Sequence, residues 1–318
     1  MTAPFHFDPA GGAHPPRQDR DRQRTLAEVV FLGPNGIRAG WRAALYVAIF
    51  VIIEFALQSL IALDPFASAA DFLRTPEALL IRELVLIAGA LGAAQIMALM
   101  EQRKIGAYGI PWSGALSARF WQGTAWGIVQ LSALMLLIAA WHGYTFGGLA
   151  LSGGPLVKYA LRWAAVFLAV GFAEEFLFRG YLQFTLAEGM GFWPAALLLS
   201  AIFGAVHLHN PGEGVTGALS VFAIGMFLCL TLRRTGDLWL AIGWHAAFDF
   251  GETYLYSVPN SGFVMQGHLL AASLHGPRWL TGGSVGPEGS AFSFAVLAVT
   301  TVSFHFIYRS RNAVTHGQ

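Results

Sequence analysis

Residues 164–180 read AAVFLAVGFAEEFLFRG, and three ionisable side chains in this stretch, Glu174, Glu175 and Arg179, decide how the chain is understood. The apolar run from Ala164 to Phe178 otherwise has the composition of a membrane-crossing helix. An ionisable group in hydrocarbon costs about 2.5–3.5 kcal/mol even on the mildest insertion scale. Such groups therefore neutralise one another in a structural knot or line a wet cavity where chemistry is done. Working outward, two later apolar stretches are interrupted in the same way, by Phe203 with His207 and by His245 with Asp249. The function is expected to reside in these residues.

The rest of the chain sets the frame. Its 318 residues are 55% hydrophobic and only 12% charged, whereas soluble domains are about a quarter charged. The composition predicts an all-α, polytopic integral-membrane helical bundle. Crossing ~30 Å of hydrocarbon takes about 20 apolar residues. That length picks out about eight transmembrane helices, at roughly 41–63, 79–100, 120–141, 159–178, 193–208, 215–232, 238–256 and 291–308. The fifth is short and stops at His209-Asn210-Pro211-Gly212, so its loop is expected to be buried in protein. Residues 1–37 read as a cytoplasmic tail with a short interfacial segment after residue 25, and 38–311 as the transmembrane domain. Within it the interrupting polar residues fall in a core at about 157–256, and a short tail follows at 312–318. The segment 257–290, rich in Gly and Pro, reads as an external loop with a small amphipathic piece at 265–274.

Charge and cysteine exclude several classes. A net charge of +1 gives no reason to invoke nucleic acid, and the single Cys229 excludes an intramolecular disulfide framework and a Cys-built metal site. The N-terminus lacks the apolar core of a secretory signal peptide. Lys and Arg gather at one set of segment ends, with Arg38, Arg42, Arg103, Lys104, Arg119, Arg233 and Arg234 among them. The opposite side keeps Arg74, Arg82, Lys158, Arg162 and Arg278. This bias predicts both termini in the cytoplasm, and the membrane is expected to be of the bacterial inner (plasma) type.

Helical geometry relates the polar residues. If the fourth segment continues as helix to a turn at Gly189-Met190-Gly191, Glu175 and His207 lie at ~22–26 Å from that turn on antiparallel helices, hence at similar depth. Glu175 and Arg179 are i and i+4 with the acid first, the favourable order for an ion pair. Glu174, about 100° round the helix, is left without that partner. His245 and Asp249 are again i and i+4, so Asp249 is expected to accept from one imidazole nitrogen and fix the tautomer. Phe203, on the His207 face, would shield it from lipid. A free glutamate beside two histidines suits activation of water. The H-E-x-x-H spacing is absent, yet Glu174, His207 and His245 from separate helices would suit Zn²⁺. Taken singly, each pair has a structural alternative, and Glu54 in the first span reads as a buried structural partner.

With these residues in view, the chain resembles the CAAX protease and bacteriocin-processing (CPBP, or Abi) family of intramembrane proteases, which includes the type II CAAX prenyl endopeptidases. The family's E-E-x-x-x-R motif is similar to Glu174-Glu175-Phe176-Leu177-Phe178-Arg179, its F-x-x-x-H to Phe203–His207, and its later H-x-x-x-N/D to His245–Asp249. The stretch from Glu101 to Ile110 resembles the family's basic segment before the third span. The resemblance implies a cavity open to the cytosolic side and hydrolysis of a peptide bond in a membrane-associated protein or peptide. It also implies that Glu174 activates water with His207, while His245 and the last motif residue assist at the oxyanion. The prenyl endopeptidases carry Asn at that last place, where this chain has Asp249, which cannot donate a hydrogen bond when ionised. Metal-dependent and glutamate-type hydrolysis both stand at this point. A non-catalytic immunity or scaffold protein of the same fold is the alternative, and a proton-coupled transporter a third.

Overall fold

A computed structural model describes residues 25, 30–33, 36–62 and 75–309. The expected tails at 1–24 and 312–318, and Arg74, lie outside the described residues. All eight expected stretches form helices. They are α1 (Ala39–Ala62), α2 (Pro76–Met100), α3 (Ala118–Ala140), α4 (Gly154–Arg179), α5 (Tyr181–Met190), α6 (Phe192–His207), α7 (Val215–Thr235), α8 (Trp239–Phe250) and α9 (Ala291–Ile307), the fourth stretch continuing through α4 into α5. Among the described residues, α1, α2, α3, the joined α4–α5 stretch Gly154–Met190 and α7 are long and apolar enough to cross a membrane; α6 and α9 are shorter apolar helices. The molecule is a helical membrane bundle; the strands among the described residues are the two-residue pairs β1 (Leu32–Gly33) with β2 (Gly36–Ile37) and β3 (Tyr144–Thr145) with β4 (Ser273–Leu274). The start of the expected interfacial segment is visible as Val30, Phe31 and Leu32, all exposed beside Trp41, whose indole donates to the Val30 carbonyl at 3.0 Å.

Local chemistry sets the helix ends. Pro76 occupies the first turn of α2 and Thr75 Oγ1 accepts from Ala78 N at 3.2 Å. Gly236, at φ 82°, ends α7 in the left-handed conformation open to glycine. The helix expected to run unbroken to the hairpin turn does not. It breaks at Gly180 (φ −81°, ψ −122°), where a Cβ would overlap the Phe176 carbonyl, and resumes as α5; the turn itself falls at Gly191.

The element that matters most is a short one. α8 has 12 residues, nearly all buried, as expected of a helix apolar on every side. It lies between α3 and α4 at backbone contact. A Cβ on Gly123 or Gly127 of α3 would overlap the Leu240 or Trp244 carbonyl, one on Gly243 would overlap the Phe120 carbonyl, and one on Gly171 of α4 would sit 3.0 Å from Ile242 O. Small residues let membrane helices approach this closely. Past Phe250 the helix widens into a π turn, Gly251–Leu255, a feature frequent at functional sites.

The two ends of the bundle differ. One end holds the start of α1 and the end of α9, and is clamped by ion pairs. Arg42 bridges Glu101 (3.3 Å) and Glu188, Arg103 reaches Glu188 at 2.5 Å, and Tyr108 and Tyr181 both donate to Glu101. Arg119 pairs with Asp237, and Arg234 meets His305 at 2.9 Å. The far end is built from the start of α2, the α6–α7 connection and the segment 257–290. That segment is not a simple external loop: Leu280, Val285, Glu288 and Ser290 are buried, and the piece at 265–274 forms no helix.

Candidate active site

Five helices (α2, α4, α6, α7 and α8) and the far-end segment surround a cavity of about 730 Å³. Glu174 (α4), His207 (α6), His245 and Asp249 (α8) line it, with Phe203 between them; Glu175 and Arg179 lie behind its wall, fully buried. The residues singled out in the sequence thus divide into a cavity set and a supporting set.

The supporting set begins with the i, i+4 pair. Arg179 Nη1 donates to Glu175 Oε1 at 3.1 Å, and the same oxygen accepts from His245 Nδ1 at 2.9 Å. Glu175 is therefore a bridge that joins α4 to α8 at the depth of the cavity. The guanidinium is held from its other side by the Phe203 ring, 4.3 Å from its carbon, a cation–π contact that helps to compensate a charge removed from water. Phe203 thus does more than the lipid shielding expected of it, since its ring also stacks edgewise on His207 at 4.7 Å.

The histidines are oriented differently. His207 Nδ1 donates to Phe203 O at 2.7 Å, one turn back in α6, which assigns the proton to Nδ1 and leaves Nε2 free. His245 is fixed through Nδ1 by Glu175, so its Nε2 points at Glu174 Oε2 (3.7 Å) and Asp249 Oδ2 (3.6 Å). The expectation that Asp249 fixes the His245 tautomer is corrected here. Glu175 makes the hydrogen bond, and Asp249 stands beyond hydrogen-bond distance on the opposite nitrogen. Glu174, about a quarter exposed, has its carboxylate in the cavity; Glu175 has none of its side chain accessible. Adjacent in sequence, the two acids have opposite environments because one faces the cavity and the other faces α8.

The sequence reading passed over further cavity groups. Glu83 of α2 lines the wall, buried, with Arg82 donating to it at 2.9 and 3.1 Å. Its signal was available, as an acid beside Arg82 inside the apolar run of α2. Asn260 donates weakly to Asp249 O and Thr253 Oγ1, 3.4 Å each, and Glu288 enters from the far-end segment. Burial pushes the Glu288 carboxyl up to about 7, against the opposing pull of Ser261 and His207. No sequence pattern links Asn260 and Glu288 to the motif helices. Glu54 lies outside the cavity lining, packs its carboxylate against Gly89 and accepts from Gln58 at 2.9 Å, as a structural partner does.

The cavity reaches the far end, where Thr75, Asn210, Pro211 and the 260–266 segment line it. The described beginning and end of the chain are at the opposite end. Cytoplasmic termini and a cytosolic cavity mouth, both expected from the sequence, therefore exclude one another in this fold. As to Zn²⁺, no group of three His, Cys, Asp or Glu converges as a ligand set among the described residues. Glu174, His207 and His245 thus do not fit as its ligands in this arrangement.

Residues 156–251 match the family model described as type II CAAX prenyl endopeptidase Rce1-like. The matched segment holds Glu174 through Asp249 and leaves out Glu83, Asn260 and Glu288. No curated protein matches the chain.

Proposed function

We propose, from the match of residues 156–251 to the CAAX prenyl endopeptidase family model, that this chain is a member of the CAAX protease family and an intramembrane endopeptidase that hydrolyses a peptide bond of a membrane-associated protein or peptide. One observation carries the reading. Glu175 is consumed by Arg179 and His245, while Glu174 is left with a cavity-facing carboxylate next to two oriented imidazoles. A merely structural carboxylate pair would satisfy both members.

In this reading Glu174 takes a proton from a cavity water as the hydroxide attacks the peptide carbonyl carbon. The oxyanion that forms is stabilised by the Nε2–H of His245 with its ring doubly protonated, while His207 Nε2, which carries no proton, accepts from the water; Glu174 then returns the proton to the departing amine. Arg179 holds Glu175, Glu175 holds His245, and both act by position. Asp249, on the cavity side of His245 Nε2, offsets positive charge on that ring and donates no hydrogen bond while ionised. Each step uses residues of this chain and water.

The reading is tested with the full chain in proteoliposomes and a pool of peptides, with new termini read by mass spectrometry. Cleavage by the unaltered protein and none by Glu174→Gln is the expected result. Equal cleavage by both, or by neither, would sink it.

A further inference from the structure

We propose that the far-end wall of the cavity is a subsite for the cationic side chain of a substrate peptide, Lys or Arg, with Glu288 as its anchor. The proposal deepens the hydrolase reading and rests on it for the identity of the ligand as a peptide. Glu288 lines the cavity at 5% exposure, and its Oε1 has no hydrogen-bond partner. A buried carboxylate oxygen without a donor is costly, on the order of 1–3 kcal/mol or more for a charged group. Ser261 serves the same carboxylate, and Oε1 remains open to a further donor.

The surroundings make that donor a cation. Asp249 lines the same cavity, and Glu252, fully buried behind them with neither carboxylate oxygen partnered, adds a third acid close enough to feel both. Arg82 is the one Lys or Arg among the described lining residues, and Glu83 on α2 engages it. His207 faces Glu288 across the cavity and has Nδ1 committed to Phe203 O. Asn260 and Ser261 complete the wall and offer oxygens to the remaining N–H groups of an ammonium or guanidinium. The backbone that brings them there is strained, with φ of 46° at Ser261 and 57° at Ser257, a conformation non-glycine residues adopt where the surrounding structure imposes it. A carboxylate-rich, poorly hydrated wall attracts a cation and rejects an acidic side chain, so it selects as well as binds. Apolar lining from Leu79, Val170, Phe263 and Met265 suits the aliphatic stem of such a residue.

The test uses the full chain carrying Glu174→Gln, so that peptides bind without turnover. A fluorescein-labelled 12-residue apolar peptide with one central Arg is titrated at pH 8 beside its Leu and Glu counterparts, by anisotropy. The Arg peptide should bind at least ~10-fold more tightly than the Leu peptide and the Glu peptide most weakly. Adding Glu288→Gln should bring the Arg-to-Leu ratio below ~3-fold. A ratio near one before that change, or a ratio unmoved by it, overturns the proposal. If the double variant does not fold, the parent's ratio decides alone. Cleavage by the unaltered chain is scored separately: an intact Arg preference with no cleavage anywhere rejects the hydrolase reading and leaves the cation subsite standing.

Discussion

Glu174 and Glu175 show how much one step along a helix changes what a carboxylate does. The 100° rotation between neighbours puts one in the cavity and the other against Arg179 and His245. Glu174→Gln should therefore keep the melting temperature and lose roughly 10²–10⁴-fold in turnover, the usual contribution of a positioned base. Glu175→Ala removes one member of a buried pair and should cost about 3–5 kcal/mol of stability. Detergent-solution melting run beside the cleavage assay checks both, and the reverse pattern would exchange their roles. Glu288 adds a pH dependence. Its carboxyl is raised by burial to about 7 in the folded protein, so between the ordinary carboxylate range and pH 7 the folded state binds more protons than the unfolded one. Stability must fall as pH rises through that window, by at most ~3 kcal/mol from this group. Glu288→Gln should flatten the fall, measured as the change in melting temperature from pH 4.5 to 7.5.

Between helices, the site depends on how closely α8 approaches α3 and α4. Glycines at 123, 127, 171 and 243 remove the side chains that would separate the backbones, and this is what sets His245 against Glu175. Gly127→Val places branched carbon on the Trp244 carbonyl. It should destabilise by about 1–3 kcal/mol and depress cleavage by displacing His245. Val129→Ala, two residues on and 62% exposed, should stay within about 0.5 kcal/mol and serves as the control. Equal melting of the two variants would refute the close-contact account. The Gly-x-x-x-Gly spacing at 123–127 was readable in the sequence. Its partner helix was not, because nothing local says which neighbour a small-residue face will meet. The break at Gly180 was hidden for a related reason, since glycine is tolerated within helices as well as at their ends.

Taken together, the bundle sets the cavity mouth against the termini. Arg42, Arg103, Arg119 and Arg234 gather at the terminal end, and on the positive-inside tendency we propose that this end faces the cytoplasm. A membrane-impermeant thiol reagent should then label Lys104→Cys from the cytoplasmic side and Val264→Cys, 76% exposed at the cavity end, from the other. The native Cys229 is buried and should stay silent. Labelling of Val264→Cys from the cytoplasmic side would invert the topology and restore the cytosolic mouth. The same reconstituted protein answers the metal question. With no three-ligand set converging in the site, chelation is expected to leave Glu174-dependent cleavage within about 2-fold of the untreated rate. A larger loss, restored by added Zn²⁺, would replace the water-only route.

Apolar runs of about 20 residues and a scarcity of charge were enough to establish an all-helical membrane bundle, because hydrocarbon accepts little else. The residues of the cavity were legible for the same reason: an ionisable group inside such a run stands out against its background. Local spacing also identified the Glu175–Arg179 pair, since i and i+4 share a helix face. Contacts between helices were beyond its reach. That Glu175, and not Asp249, orients His245 depends on α4 and α8 meeting through glycines. That Glu83 and Glu288 join the site depends on packing across far-apart segments. Side chains on different helices acquire their partners only when the bundle closes, and no periodicity within one helix encodes that meeting.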